Sequence, residues 1–374
     1  MRAWLMSLAV AALVAAPAFA YDGLVEKRRV ELPAFTFADG RTVPLTVGYE
    51  TYGTLNATKT NAILVCHFFG GTSHAAGRYA TTDERPGYWD ALIGPNAAID
   101  TTRHFVVAVD VPANINTADP TMITTGPHQI DPTTRKPYGA SFPQVGIPDM
   151  VAVQRQLMAQ LGIPRWHAVV GASLGGMQTL QWAVDHPALV ERAVVIAAPG
   201  RSDAYNQAMC QVMIDSIEGD QHFRGGAYYG QAPPAGGLKA AWKLLYAMGL
   251  NRDHMARSNQ PFLSELEAQA ARRLPRMDAN AWLRLARASR DFDLGRGHGG
   301  YEAALGRIQA RVLVIPAEGD QLFPPDRLQR DLIDPLKAAG KDVTCQVLKT
   351  DWGHLGAVYD VTTEAPTIRA FLSR

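Results

Sequence analysis

A serine hydroxyl becomes a nucleophile only where a base can take its proton and the chain holds it clear of its neighbours. The stretch Val169-Val170-Gly171-Ala172-Ser173-Leu174-Gly175-Gly176-Met177 offers such a serine. An apolar run over 166–170 precedes it, and a helix-like run over 177–184 follows. Gly-x-Ser-x-Gly in that setting is a strand–turn–helix elbow with Ser173 at its apex. A Cβ at Gly171 or Gly175 would crowd the strained turn. The helix start beyond it presents N–H groups and the positive end of a dipole to an oxyanion.

The base and its orienting acid must come from further along the chain, in the order serine, acid, histidine. Asp320 is the favoured acid. It lies in Gly319-Asp320-Gln321-Leu322-Phe323-Pro324, just past the apolar run 312–315. Glu318 competes from the same turn. His354 is the favoured base, in Asp351-Trp352-Gly353-His354-Leu355, after a strand and before a C-terminal helix. His298 competes, but it lies upstream of the acid in a glycine-rich loop. One oxyanion donor is expected from the N–H of Leu174, and a second from the loop His67-Phe68-Phe69-Gly70-Gly71-Thr72-Ser73-His74. Phe69 is the first choice there and Phe68 the next. The two phenylalanines imply an apolar acyl pocket, with Phe68 beside the substrate.

These residues need a scaffold that presents strand ends on one side. Apolar, β-branched runs at 46–52, 62–66, 105–109, 166–170, 193–197, 312–315 and 344–347 predict strands. Helical patterns at 147–161, 176–185, 326–339 and 363–371 alternate with them. That alternation argues a mostly parallel sheet covered on both faces, with the first strand able to pair antiparallel at an edge. From about 205 to 305 strands give way to helical stretches at 238–248, 263–273 and 279–287. This predicts a core of 21–204 and 306–374 interrupted by a helical lid insertion over 205–305, above the carboxyl ends of the strands.

Residues 1–20 read as a signal peptide: Met1-Arg2, an apolar core, then Ala18-Phe19-Ala20. Cleavage would leave 354 of the 374 residues, exported to the periplasm or secreted. No later stretch is long and apolar enough to span a bilayer, so no membrane partner is expected after cleavage. The net charge of +1, with both signs interspersed, argues against nucleic acid as a partner. Of the three cysteines, Cys66 reads as a core residue, and a Cys210–Cys345 disulfide stays open. No cysteine and histidine spacing points to a metal, and no cofactor is implied.

At this point the chain resembles the homoserine O-acetyltransferase family of the α/β-hydrolase superfamily. The likeness rests on Asn61-Ala62-Ile63-Leu64-Val65-Cys66-His67, Gly87-Tyr88-Trp89-Asp90-Ala91-Leu92-Ile93-Gly94-Pro95, Thr124-Thr125-Gly126-Pro127, Lys136-Pro137-Tyr138-Gly139 and Ser173-Leu174-Gly175-Gly176-Met177-Gln178. It implies an α/β-hydrolase fold, a triad of Ser173, Asp320 and His354, and a homodimer through the lid helices. It departs where homoserine would bind. The family follows its catalytic histidine with Asp, and here Leu355 stands. The family's lid Arg, and the Tyr seven residues later, fall on Trp242 and Gly249 when aligned on Gly237-Leu238. Losing counter-charges for a zwitterion costs several kcal/mol in a desolvated site. The segment 112–117 also replaces a Gly-Cys-rich stretch of the family.

An exported protein would not meet cytosolic acetyl-CoA, so water becomes the expected acceptor. The leading expectation is therefore an exported serine hydrolase acting on a small carboxylic ester. An acyltransferase using the same acyl-enzyme is the alternative. A degenerate binding module is a third reading, opposed by the intact residue order.

Overall fold

The computed structural model describes residues 21, 23–257 and 261–374. The leader expected over 1–20 lies outside them. Eight strands form one sheet: β1 Arg28–Thr36, β2 Thr42–Tyr52, β3 Ala62–Cys66, β4 Phe105–Val109, β5 Ala168–Ala172, β6 Arg192–Ile196, β7 Arg311–Ile315 and β8 Val343–Cys345. Their spatial order is β1-β2-β4-β3-β5-β6-β7-β8. β1 pairs antiparallel with β2, and β2 with β4, while every other pairing is parallel.

The central strands are apolar on both faces because both faces are covered. Alternate side chains divide between two cores. Leu64, Val107, Val169, Val195 and Val314 belong to one; Ile63, Val106, Val170, Val194 and Leu313 belong to the other. α1 Ile147–Gln160 and α2 Leu174–Asp185 flank the sheet.

One expectation changes at the edge. The strand expected at 46–52 runs longer, as β2, and is itself covered by β1. The antiparallel edge is β1, which the sequence reading missed. Its alternation is present, with Val30, Leu32 and Phe35 buried and Arg29 and Glu31 exposed. Pro33 masks it, because a proline normally argues against a strand; here it falls where the register shifts between Leu32 and Phe35.

Between β6 and β7 the described residues form α3 Ala204–Glu218, α4 Ala235–Gly249, α5 Arg252–Arg257, α6 Phe262–Arg273, α7 Ala279–Arg290 and α8 Tyr301–Arg307. Asp203 and Asp278 cap α3 and α7 by accepting the N–H groups of Asn206 and Ala281. These helices share a continuous apolar core with the sheet. The Trp282 ring meets Phe69 edge-on at 4.9 Å. The buried Arg284 guanidinium donates to the carbonyls of Ala140, Phe142 and Pro143. The helix expected at 326–339 is broken into Pro325–Leu328, a π-type turn Gln329–Ile333, and Asp334–Ala338. α9 His354–Tyr359 and α10 Ala365–Ser373 complete the chain.

Cys66, Cys210 and Cys345 are all free thiols, so the Cys210–Cys345 disulfide is not formed. Among the described residues no helix is long and apolar enough to cross a membrane.

Several buried or half-buried histidines resist protonation. Burial, with the neighbouring His167 imidazole and the Arg103 guanidinium acting against the opposing pull of Asp100, holds His104 at about 4. Its ring stacks on His167 at 4.9 Å. Burial also lowers His67, His128, His167 and His186. An unfolded histidine takes up its proton near pH 6.5 while folded His104 waits until about 4. The contribution of His104 to stability is therefore present above pH 6.5 and is lost as pH drops from 6.5 toward 4. Urea unfolding midpoints between pH 7 and 4 should show that decline, and His104→Gln should flatten it. An unchanged slope in the variant would remove His104 from this account.

Candidate active site

β5 ends at Ala172 and α2 begins at Leu174, leaving Ser173 as the single turning residue. Its backbone is forced to φ 56°, ψ −121°, a strained conformation costing on the order of 1–3 kcal/mol for a residue with a Cβ. The tightness of the turn dictates the glycines around it. A Cβ on Gly171 would lie 2.3 Å from the Gly175 backbone, and one on Gly175 2.1 Å from the Cys66 carbonyl oxygen.

Asp320 follows β7, reached through Gly319 at φ 69°. Its Oδ1 accepts the N–H groups of Leu322 at 2.8 Å and Phe323 at 2.9 Å. Its Oδ2 lies 2.7 Å from His354 Nδ1. His354 opens α9 after Gly353, whose φ of 60° and close approach to Asn251 N and Gly319 O leave no room for a side chain. His354 Nε2 lies 2.8 Å from Ser173 Oγ. Three residues separated by up to 181 positions thus form one hydrogen-bonded line. Asp320 and His354 are buried, so the line is shielded from water competition. The competitors stand elsewhere: Glu318 is exposed beside Lys349, and His298 Nε2 lies 2.9 Å from Asp185 Oδ1.

The loop after β3 is held by residues that the sequence reading did not assign. His67 Nε2 accepts the N–H of Val111 at 3.1 Å, so its proton sits on Nδ1 and is donated to the Phe68 carbonyl at 2.7 Å. Asn114 Nδ2 donates to Gly71 O at 2.9 Å and Asn116 Nδ2 to Gly70 O at 3.2 Å. These asparagines lie in 112–117, the segment that departs from the family, so the departure itself was the available signal. With the carbonyls of this loop turned toward the asparagines, the Phe69 N–H has no protein acceptor among the described residues. Leu174, as the first residue of α2, has an N–H with no intrahelical acceptor. Phe69, Leu174 and Ser173 line one chamber.

Behind the loop sits a buried charged cluster. Lys27 Nζ contacts Glu50 at 2.8 Å; Glu50 also accepts from Tyr52 and Tyr79 and lies 3.0 Å from His74. Although burial opposes ionisation, His74 and Lys27 hold the Glu50 carboxyl below its usual range.

Two chambers share Ser173, Phe69, Leu245 and Leu322 in their walls. The inner one, about 50 Å³, is walled by Met177, Met209, Cys210, Met213, Leu245 and Phe323 among others. The outer one, about 250 Å³, is bounded by Phe68, Trp242, Tyr246, Gly249, His354 and Leu355 among others. The three positions where the family's homoserine contacts are replaced, Trp242, Gly249 and Leu355, therefore line one chamber. Leu355 packs directly against Gly249, where an added Cβ would lie 3.3 Å from its side chain.

A serine elbow on a mostly parallel, helix-covered sheet defines the class, and the family description "alpha/beta hydrolase fold" matches residues 61–339, so the chain belongs to that family. Within it, the chain is similar to homoserine O-acetyltransferases. That of Symbiobacterium thermophilum is 37% identical over 360 residues, spanning 91% of this chain and 92% of that protein. The crystal structure of homoserine O-acetyltransferase from Bacillus anthracis superposes with a TM-score of 0.90 at 35% identity, covering 94% of this chain and 98% of that one. Esterase E22 superposes with a TM-score of 0.89 at 40% identity, covering 93% and 100%. The protein is an α/β-hydrolase-fold enzyme of the acyl-transferring or ester-cleaving kind.

Proposed function

We propose that the protein forms an acyl-enzyme on Ser173 and hydrolyses it. The observation that carries this reading is the hydrogen-bonded line Ser173–His354–Asp320, opening into a chamber without counter-charges for homoserine's ammonium. His354 Nε2 takes the Ser173 proton as Oγ attacks the ester carbonyl. Leu174 and Phe69 N–H groups hold the oxyanion. The bond from the acyl carbon to the leaving oxygen then breaks, and His354 returns the proton to that oxygen. A water, deprotonated by the same imidazole, releases the acid. Asp320 keeps the Nδ1 proton in place and stabilises the imidazolium.

Transfer to an alcohol acceptor is the second reading. The names of several relatives favour it, since homoserine O-acetyltransferases and O-succinyltransferases are among the proteins this chain is similar to at 36–37% identity. The leader-like residues 1–20 favour hydrolysis, because export to the periplasm or beyond separates the enzyme from cytosolic acyl-CoA.

Purified protein supplied with an activated acetyl ester, and separately with acetyl-CoA and homoserine, separates the two. Free acetate should exceed O-acetylhomoserine by roughly tenfold or more, because the acceptor's ammonium finds no counter-charge among the described chamber residues. O-acetylhomoserine as the main product would establish transfer instead.

A further inference from the structure

The two chambers at Ser173 differ in chemistry. The inner one carries no charged side chain. The outer one contains His354 in its wall and one permanent charge, Arg273, at the end of α6. Gln269 lines the same chamber one helical turn earlier. Arg273 is exposed at the chamber mouth and makes no hydrogen bond or ion pair among the described residues. The carboxylates closest to it along the helix are already engaged: Glu267 with Lys239 and Lys243, and Glu265 with the Tyr246 hydroxyl. Among the described residues no Asp or Glu lines the chamber.

The imidazole that protonates the leaving oxygen must face that oxygen, so the alcohol part of the ester occupies the chamber His354 lines. The acyl part is left to the inner chamber, whose size of about 50 Å³ suits a short chain. A guanidinium with no counter-ion among the described residues, at the rim of an apolar chamber, is a site for a planar anion, which it binds through two parallel N–H donors. An ammonium group in the same chamber would find no carboxylate and would press against Leu355 and Trp242.

Resting on the acyl-enzyme reading above, we infer that the substrate is a short-chain acyl ester of a hydroxy acid lacking an amino group, with its carboxylate held by Arg273 and Gln269. The acyl C–O bond breaks, water supplies the second oxygen, and the products are a short carboxylic acid and a free hydroxy acid. A cation at the mouth thus replaces the zwitterion contacts absent at Trp242, Gly249 and Leu355.

Three acetate esters of matched length test this: anionic 4-acetoxybutyrate, neutral 4-acetoxybutyramide and zwitterionic O-acetylhomoserine. The anionic ester should exceed the neutral one roughly tenfold in kcat/KM, expressed in KM, and the zwitterion should be poorest. Arg273→Gln should bring the anionic-to-neutral ratio close to unity, and Arg273→Glu should invert it. A wild-type ratio near unity, or a ratio unmoved by Arg273→Gln, would overturn the inference. Calorimetry of the intact esters on Ser173→Ala separates binding from chemistry. Selective binding without any wild-type turnover would overturn the acyl-enzyme reading and keep the anion site. Turnover without selectivity would do the reverse.

Discussion

Ser173→Ala should lower kcat for ester turnover by roughly 10⁴–10⁶-fold and leave the fold intact. The loss is large because Oγ is both the nucleophile and the partner of His354 Nε2 at 2.8 Å, so the covalent route disappears with it. On the proposed mechanism, what remains is oxyanion stabilisation by the Leu174 and Phe69 N–H groups and the positioning of substrate. Stability should change little, since alanine retains the Cβ strained at φ 56° and the β5–α2 turn is imposed by the glycines. Thermal unfolding beside steady-state kinetics checks both halves. Activity within tenfold of wild type in a folded variant would mean that another group starts the reaction.

Asp320→Asn should cost about 10⁴-fold in kcat, through a proton in the wrong place. The asparagine carbonyl can still accept from Leu322 and Phe323, as Oδ1 does now. Its NH₂ then points at His354 Nδ1, where Oδ2 now lies at 2.7 Å. The imidazole must accept there, so its proton moves to Nε2 and faces Ser173. A histidine in that tautomer cannot deprotonate the serine. The double variant Ser173→Ala, Asp320→Asn should be no slower than Ser173→Ala alone, because the acid acts only through the histidine and serine. Additive losses would show Asp320 acting independently of that line.

Along the chain nothing sets Arg273 apart. Helix α6 reads as an ordinary amphipathic segment, with Glu265, Glu267, Arg272 and Arg273 all resembling solvent-facing charge. Only its packing beside α4 brings one of these into the chamber wall. Leu355 and Gly249 could each be singled out along the chain, but their direct contact required two segments more than a hundred residues apart.

What the sequence determined by itself was local. Glycine flanking a serine between strand and helix demands an elbow, an acid past a buried strand sits on a turn, and a Gly-His step opens a short helix; each rests on backbone constraints within a few residues. The apolar, β-branched runs likewise specified a sheet buried on both faces. The tertiary structure alone decided what depends on distant segments meeting. It set the hydrogen-bonded distances among Ser173, His354 and Asp320. It placed Asn114, Asn116 and His67 behind the Phe68–Gly71 loop. It also covered β2 with a strand whose proline hid it. The physical reason is that a hydrogen bond or a charge is sensitive to position within an ångström or so, and such positions are set by the packing of whole helices on the sheet, which no short window of residues encodes.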